Sequence, residues 1–187
     1  MKIITRIKDI IRYWFLKRAH KKLKREKKLT GYHQASSFAI IYDASEEENY
    51  RSITMLVKEL QQDNKKVKTL GYVVHKKMPD YCFPKLTFEF CNGKSFSWNQ
   101  QPVAKNVKDF LNSHYEVMID LTSSDFHHVK YLLAVSKASL KVGLYSEKYL
   151  DIYDFLIQLD DSSTHEERIK QTFHYLKMIH NEPIEQS

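Results

Sequence analysis

The sequence predicts a three-layer α/β/α protein with a mostly parallel sheet, preceded by a basic helix. Short apolar runs typical of buried strands alternate with amphipathic stretches typical of helices. The 187 residues are 42% hydrophobic and include only four Gly and four Pro, which favours a folded chain with short connections. All of the excess positive charge lies near the N-terminus. We therefore divide the chain into a basic arm, residues 1–31, and one domain, residues 32–187.

The domain is expected to begin with a strand, a helix and a second strand. The apolar run 38–42 is typical of a buried strand. Ser45 and Glu48 have the spacing of a capping box, and apolar residues then recur every three or four positions as far as Leu60. A second strand is expected at 67–74. A strand–helix–strand unit of this kind should form a parallel pair with a right-handed crossover.

The segment that follows is expected to depart from this alternation. Residues 86–90 and 95–98 both alternate between apolar and polar side chains. Between them lies Asn92-Gly93, a dipeptide that favours a tight turn, so the pattern predicts an antiparallel hairpin. The apolar spacing over 103–111 predicts the second helix.

The rest of the domain repeats the strand and helix pattern. A third helix is expected from about 124 to 136, and a last one begins after Ser163 and Glu166, which again have capping-box spacing. Such alternation is typical of a mostly parallel sheet with helices on both faces, so the fold should be Rossmann-like. Further strands are expected at 117–121, 141–144 and 155–159.

The basic arm has two parts. From Ile3 to Phe15, isoleucine and aromatic residues recur every three or four positions and form one stripe on a helix. Over 17–28, positive side chains dominate. Since no Gly or Pro precedes Gly31, one helix ending near Leu29 is predicted. The first thirty residues carry twelve positive and two acidic side chains, a charge of +10, so the remainder carries −3.

This charge density predicts a polyanionic partner. The stripe can pack on the domain and leave the cations solvated, the cations can neutralise RNA phosphates, or the stripe can enter an anionic membrane surface. Most cations follow the stripe instead of flanking it. This arrangement favours RNA, with the ribosome as the expected partner, and leaves the membrane as the alternative. The predicted anion-binding residues are Arg6, Arg12, Lys17, Arg18, Lys21, Lys22, Lys24, Arg25, Lys27 and Lys28.

No catalytic set stands out, and we expect a protein without enzymatic activity. Ligands of parallel sheets bind beyond the carboxyl ends of the strands, where hydroxyls near a helix start can hold a phosphate. A small phosphorylated ligand is therefore the third hypothesis, although the same residue types are ordinary N-caps. His127 and His128 project in different directions on a helix, which disfavours a shared metal ion. The candidate pocket residues are Asp43, Ser45, Asp120, Thr122, Ser123 and Ser124.

Neither a cofactor nor a metal ion is expected. The glycine-rich motifs of dinucleotide and P-loop sites are absent, and the acidic residues 46–48 would repel a pyrophosphate. Cys82 and Cys91 lack the CxxC spacing, so we expect reduced core thiols in a cytoplasmic protein. The apolar runs are too short for a signal peptide or a membrane span.

Residues 115–121, 131–138 and 141–144 resemble a strand–helix–strand segment in the acceptor half of heptosyltransferase-like glycosyltransferases. The resemblance covers about thirty residues and implies the fold. The nucleotide-sugar half of those enzymes has no counterpart here, so transferase activity is not expected.

A second resemblance extends over almost the whole length. Beginning with the basic helix, it includes residues 32–37, 66–67, 70–72, 118–121 and 153–155. In these segments the chain is similar to an uncharacterised family of small Rossmann-like proteins from Bacteroidota. The resemblance implies a bacterial cytosolic protein but supplies no activity and no site residues.

Overall fold

The structure, a computed structural model, describes residues 2–160 and 162–179, with side chains from residue 7 onward. The strands are β1 (Ser37–Asp43), β2 (Lys66–Val73), β3 (Phe88–Asn92), β4 (Val117–Asp120), β5 (Leu140–Leu144) and β6 (Phe155–Ile157). The helices are α1 (Lys2–Lys22), α2 (Glu47–Gln62), α3 (Lys105–Asn112), α4 (His127–Val135) and α5 (His165–Met178). Short 3₁₀ turns lie at Gly93–Ser95 and Glu147–Tyr149.

The strands form one sheet in the order β3-β2-β1-β4-β5-β6, and every neighbouring pair is parallel. The predicted Rossmann-like α/β fold is confirmed. The strand order reverses between β1 and β4, since the chain winds outward from β1 in one direction and from β4 in the other. Ligands of such sheets bind at the carboxyl ends of the strands.

Helices cover both faces of the sheet. Phe38 and Ile40 of β1 belong to the core that α2 and α5 cover, whereas Ala39 and Ile41 belong to the core covered by α1, α3 and α4. Successive side chains of a strand point to opposite faces. Both sets are fully buried, which explains why β1 is a continuous apolar run instead of an alternating one.

The predicted antiparallel hairpin is wrong. Residues Phe88–Asn92 pair in parallel with β2, and the expected return strand is reduced to one isolated antiparallel bridge between Phe96 and Pro102. Asn92-Gly93 starts a 3₁₀ turn instead of a hairpin turn. The Asn92 side chain accepts from the backbone N–H of Lys94, and Ser95 Oγ accepts from that of Asn92. The apolar run 88–92 therefore pairs with the free edge of β2 instead of forming a hairpin.

The predicted helix end near Leu29 is also wrong, because α1 ends at Lys22. The chain then crosses the domain as a non-helical strap, where the Lys28 N–H donates to Ser139 O at 3.1 Å. Gly31 does not cap α1. A Cβ at this position would lie 2.0 Å from the carbonyl oxygen of Ile179, so glycine is needed for close packing against the end of α5.

Both predicted capping boxes are misplaced. Ser45 does not cap α2, whose N-cap residue is Glu46. At α5 the box is shifted by one residue: Glu167 N–H donates to Thr164 Oγ1 at 3.2 Å, and Thr164 N–H donates to Glu167 Oε2 at 2.7 Å. The segment after Gln158 contains hydroxyls at both 163 and 164, and the spacing rule alone does not choose between them.

We expect Thr164→Ala to lower the free energy of unfolding by about 1 kcal/mol, because the Glu167 N–H in the first turn of α5 loses Thr164 Oγ1 as its acceptor. Ser163→Ala is the matched control and should change it by less than about 0.5 kcal/mol. Urea unfolding followed by circular dichroism measures both. A larger loss in Ser163→Ala than in Thr164→Ala would contradict the assignment of the cap.

Candidate functional site

Helix α1 packs on the domain largely through its polar side. Leu16 is buried, Asp9 Oδ1 lies 3.1 Å from His127 Nε2, and His20 Nδ1 lies 3.1 Å from the carbonyl oxygen of Ala134. These contacts attach α1 to α4. The isoleucine and aromatic stripe therefore lies largely on the exposed side of α1, and Phe15 contacts Trp98 of the domain.

The stripe is exposed over the residues whose side chains are described. Between 44% and 67% of the surface of each of four apolar residues is accessible to solvent, and Phe15 links this helix to Trp98, which is 79% exposed. The Phe15 ring centroid lies 5.1 Å from that of Trp14 and 5.4 Å from that of Trp98. We call this surface the apolar face; it consists of Ile7, Ile10, Ile11, Trp14 and Trp98.

Exposed cations accompany the apolar face. Lys8 flanks it, while Arg18, Lys21 and Lys22 continue the same side of α1 toward its C-terminus. The Arg18 guanidinium lies 5.2 Å from the centroid of the Trp14 ring. Among the described residues, none of these four cations forms a salt bridge. Their charge is available to a partner.

Other predicted anion-binding residues instead hold the arm to the domain. The buried Arg25 donates from Nη2 to both carboxylate oxygens of Asp154 at 2.6 Å, and from Nη1 to the carbonyls of Ala138 and Ser139 at 3.1 and 3.0 Å. Lys27 Nζ lies 3.1 Å from the same carboxylate. Burial opposes ionisation of Asp154, but the hydrogen bond and charge of Arg25 keep its pKa below the usual value.

The remaining predicted cations differ in their surroundings. Lys17 is paired with Asp151, and Arg12 Nη1 lies 3.4 Å from Asp9 Oδ1 within α1. The predicted residue Arg6 lies outside the described side chains. Lys24 and Lys28 are exposed. The nine described residues thus include both cations paired with acids and exposed cations without a salt bridge.

The predicted pocket residues at the end of β1 have structural roles. Asp43 Oδ1 accepts the Ser45 N–H at 2.9 Å, and Ser45 Oγ accepts the Val74 N–H at 3.1 Å. These bonds close the loop before α2 and connect it to the segment after β2. The side chains of Asp43 and Ser45 do not join the cavity that contains the other predicted pocket residues.

Asp120 lies beneath that cavity and is almost inaccessible to solvent. Its carboxylate accepts from Thr122 Oγ1 at 2.6 Å, from Lys130 Nζ at 2.6 Å and from the Tyr153 hydroxyl at 2.7 Å. Burial and the Asp120 carboxylate both raise the pKa of Tyr153, so this hydroxyl remains a proton donor. The Asp120 carboxylate thus links Thr122, Lys130 and Tyr153 at the floor of the cavity, and its oxygens already accept hydrogen bonds from all three.

Thr122, Ser123 and Ser124 do lie together, in a cavity of about 500 Å³ above the carboxyl ends of β4, β5 and β6. Two cations that were not among the predicted pocket residues also line this cavity, Lys130 from α4 and Arg168 from α5. Lys130 interrupts an otherwise apolar helical segment, which is a visible signal of a buried charge. Arg168 gives no comparable signal, because it lies on a charged helix.

The histidines and cysteines have structural surroundings. His128 Nδ1 lies 2.9 Å from the Tyr72 hydroxyl, and its ring stacks on Phe96; burial lowers the His128 pKa to about 4. Cys82 and Cys91 are buried free thiols, and burial raises the Cys82 pKa to about 11. Within the described ranges, no three His, Cys, Asp or Glu side chains are grouped to hold a metal ion.

A helix that crosses a lipid bilayer must be both long and apolar. Across the part of the chain with a described structure, every helix is too short or too polar to cross a membrane.

Comparison with known proteins gives one match. A family model described as "Family of unknown function (DUF6913)" matches residues 8–179. No curated protein and no solved structure matches the chain. The matched residues include most of α1, the strap and all six strands, so the family model spans both the arm and the domain.

Proposed function

Because the chain belongs to the DUF6913 family of unknown function, we propose its function from its surface: it is a peripheral protein that binds anionic membranes through the apolar face and adjacent cations of α1. The exposure of the apolar face carries this proposal. It favours the second of the two partners suggested by the sequence, and the RNA hypothesis remains an untested prediction.

Any partner of this surface must cover the exposed apolar face, and lipid and RNA differ in how well they can do so. An RNA backbone offers phosphates and sugars to a helix, and neither gains much from contact with isoleucine. A membrane interface accepts isoleucine among the acyl chains and tryptophan at the headgroup level. The combination of Ile7, Ile10 and Ile11 with Trp14 and Trp98 therefore matches a lipid surface better than a nucleic acid.

The available cations also match a lipid surface. The sequence favoured RNA because most of the positive residues, over 17–28, follow the apolar stripe instead of flanking it. However, Arg25, Lys27 and Lys17 are paired with acids of the domain. The cations that remain beside the apolar face can meet anionic headgroups, each contributing about 1 kcal/mol near such a surface.

Membrane binding is expected to depend on both lipid charge and the apolar face. Intact protein should float with vesicles of phosphatidylcholine and phosphatidylglycerol but not with phosphatidylcholine alone. The double variant Ile10→Ser, Trp14→Ser should lower the apparent affinity by at least about tenfold, because apolar area no longer enters the interface. Met55→Ser is the control, since Met55 is similarly exposed on α2, across the sheet from α1.

Two outcomes would contradict the proposal. The first is equal flotation of the double variant and the intact protein. The second is salt-sensitive binding of RNA in a gel-shift assay by a protein that does not float with vesicles, which would instead support the RNA hypothesis.

Several finer predictions from the sequence remain proposals. These are a cytoplasmic location, a bacterial origin in Bacteroidota, a ribosomal partner and kinship with the acceptor half of heptosyltransferase-like enzymes. Membrane binding from the cytoplasmic side is compatible with the first two.

A further inference from the structure

The cavity above β4, β5 and β6 contains a cation that forms no salt bridge with any acid of the described residues. Arg168, on the second turn of α5, lines this cavity and is only partly exposed. Within the described residues its guanidinium takes part in no salt bridge and no hydrogen bond. Burial lowers the Arg168 pKa and the nearby charge of Glu167 raises it, but Glu167 forms no salt bridge with the guanidinium, so the charged form lacks full compensation there. An anion in the cavity would supply it.

The loop after β4, which lines the same cavity, offers hydrogen-bond donors. Ser123 and Ser124 line the cavity with their hydroxyls exposed. Within the described residues, the backbone N–H groups of Ser123, Ser124 and Asp125 donate to no other group, whereas that of Thr122 is occupied by Asp120. Free amides and hydroxyls together with an arginine are the donors that bind phosphate in proteins.

The acidic residues of the lining do not cancel this arrangement. Asp125 is engaged by Lys148 Nζ at 2.8 Å and by the Tyr149 hydroxyl. Asp160 is exposed to solvent. On the floor, the charges of Lys130 and Asp120 compensate each other, and the Lys130 ammonium also donates to the Tyr153 hydroxyl.

We propose that this cavity binds a small phosphate-bearing metabolite, with Arg168 and the 122–125 loop as its phosphate subsite. A tetrahedral phosphate accepts hydrogen bonds from several directions, which suits donors on two separate walls better than a planar carboxylate does. The volume of about 500 Å³ leaves room for more of the ligand than the phosphate itself. The site is independent of the membrane-binding face on α1.

The test uses inorganic phosphate as the probe and the full chain, with ionic strength held constant by sodium chloride. Phosphate should raise Tm in a saturable manner, by about 5 °C at one hundred times its Kd. Arg168→Gln should weaken the apparent affinity about tenfold, because the charge-assisted bonds are lost. Lys170→Gln, two residues further along α5 and exposed, should leave the affinity unchanged.

Amide chemical shifts separate this site from the basic arm, which can also attract phosphate. In ¹⁵N NMR spectra, phosphate should move the amide signals of Ser123, Ser124 and Asp125 at the concentration that raises Tm. This measurement does not require the Arg168 variant to be stable. Shifts confined to residues 7–28, or equal affinity in Arg168→Gln and Lys170→Gln, would overturn the proposal.

Discussion

Replacing Arg25 by Met is expected to lower the free energy of unfolding by about 3 kcal/mol, although Arg25 belongs to a segment that resembles a solvated basic tail. The guanidinium is buried and makes two 2.6 Å contacts with Asp154. Removing it leaves a carboxylate that is only 12% exposed, with Lys27 and the Lys141 N–H as its remaining partners. The exposed Lys27 compensates this carboxylate only in part, and breaking a largely buried ion pair costs more than losing a surface pair.

Urea unfolding of matched variants measures this effect. Lys24→Met removes one exposed positive charge from the same segment, and it should change stability by less than about 0.5 kcal/mol. The double variant Arg25→Met, Asp154→Leu should recover part of the loss, because it removes both charges. If Arg25→Met is as stable as Lys24→Met, the strap is not anchored as described.

The pH dependence of this anchor has a definite sign. The folded-state pKa of Asp154 is lowered, so the native protein binds fewer protons than the unfolded chain in acid. The resulting stabilisation is complete above the ordinary aspartate pKa of 3.8 and is lost as the pH falls through the lower folded-state value. Arg25→Met should therefore weaken the fall in stability as the pH drops below 3.8.

The strands and helices of the domain were predictable because periodicity reports local burial. Residues 38–42 are apolar throughout, and β1 is buried on both faces. The predictions were wrong where one sequence pattern is compatible with two different structures. Residues 88–92 can form either a hairpin arm or an edge strand, and the choice depends on the free edge of β2, a long-range partner that sequence spacing does not describe.

The arm was less predictable than the domain. Its periodicity correctly gave a helix with an apolar stripe, but not which side of the helix the domain would contact. That choice depends on Asp9, Leu16 and His20, whose partners on α4 lie more than one hundred residues away. For the same reason, composition could not distinguish Arg25, which is bound to Asp154, from exposed Lys24.

Replacing Lys141 by Met is expected to stabilise the protein by roughly 2–4 kcal/mol at neutral and acidic pH. Lys141 lies in β5 and is inaccessible to solvent, and its ammonium group donates to the carbonyl oxygen of Leu133. Burial and the charge of Arg25 lower its pKa to about 7, whereas Asp154 acts in the opposite direction. The charged form is therefore poorly accommodated, and an unbranched apolar side chain of similar length fits the same space.

The pH profile distinguishes this charge effect from simple repacking. Below about pH 7 both the folded and unfolded chains hold the Lys141 proton, so the full cost of the buried charge is present. Between pH 7 and the unfolded value of 10.5, the folded protein has released the proton while the unfolded chain retains it, and stability rises with pH. The advantage of Lys141→Met over the native chain should thus shrink steadily over that interval.

Urea unfolding at pH 6, 8 and 9.5 tests this, with exposed Lys137→Met as the control. An advantage that does not change with pH would mean that Lys141 carries no buried charge and that the gain comes from packing alone.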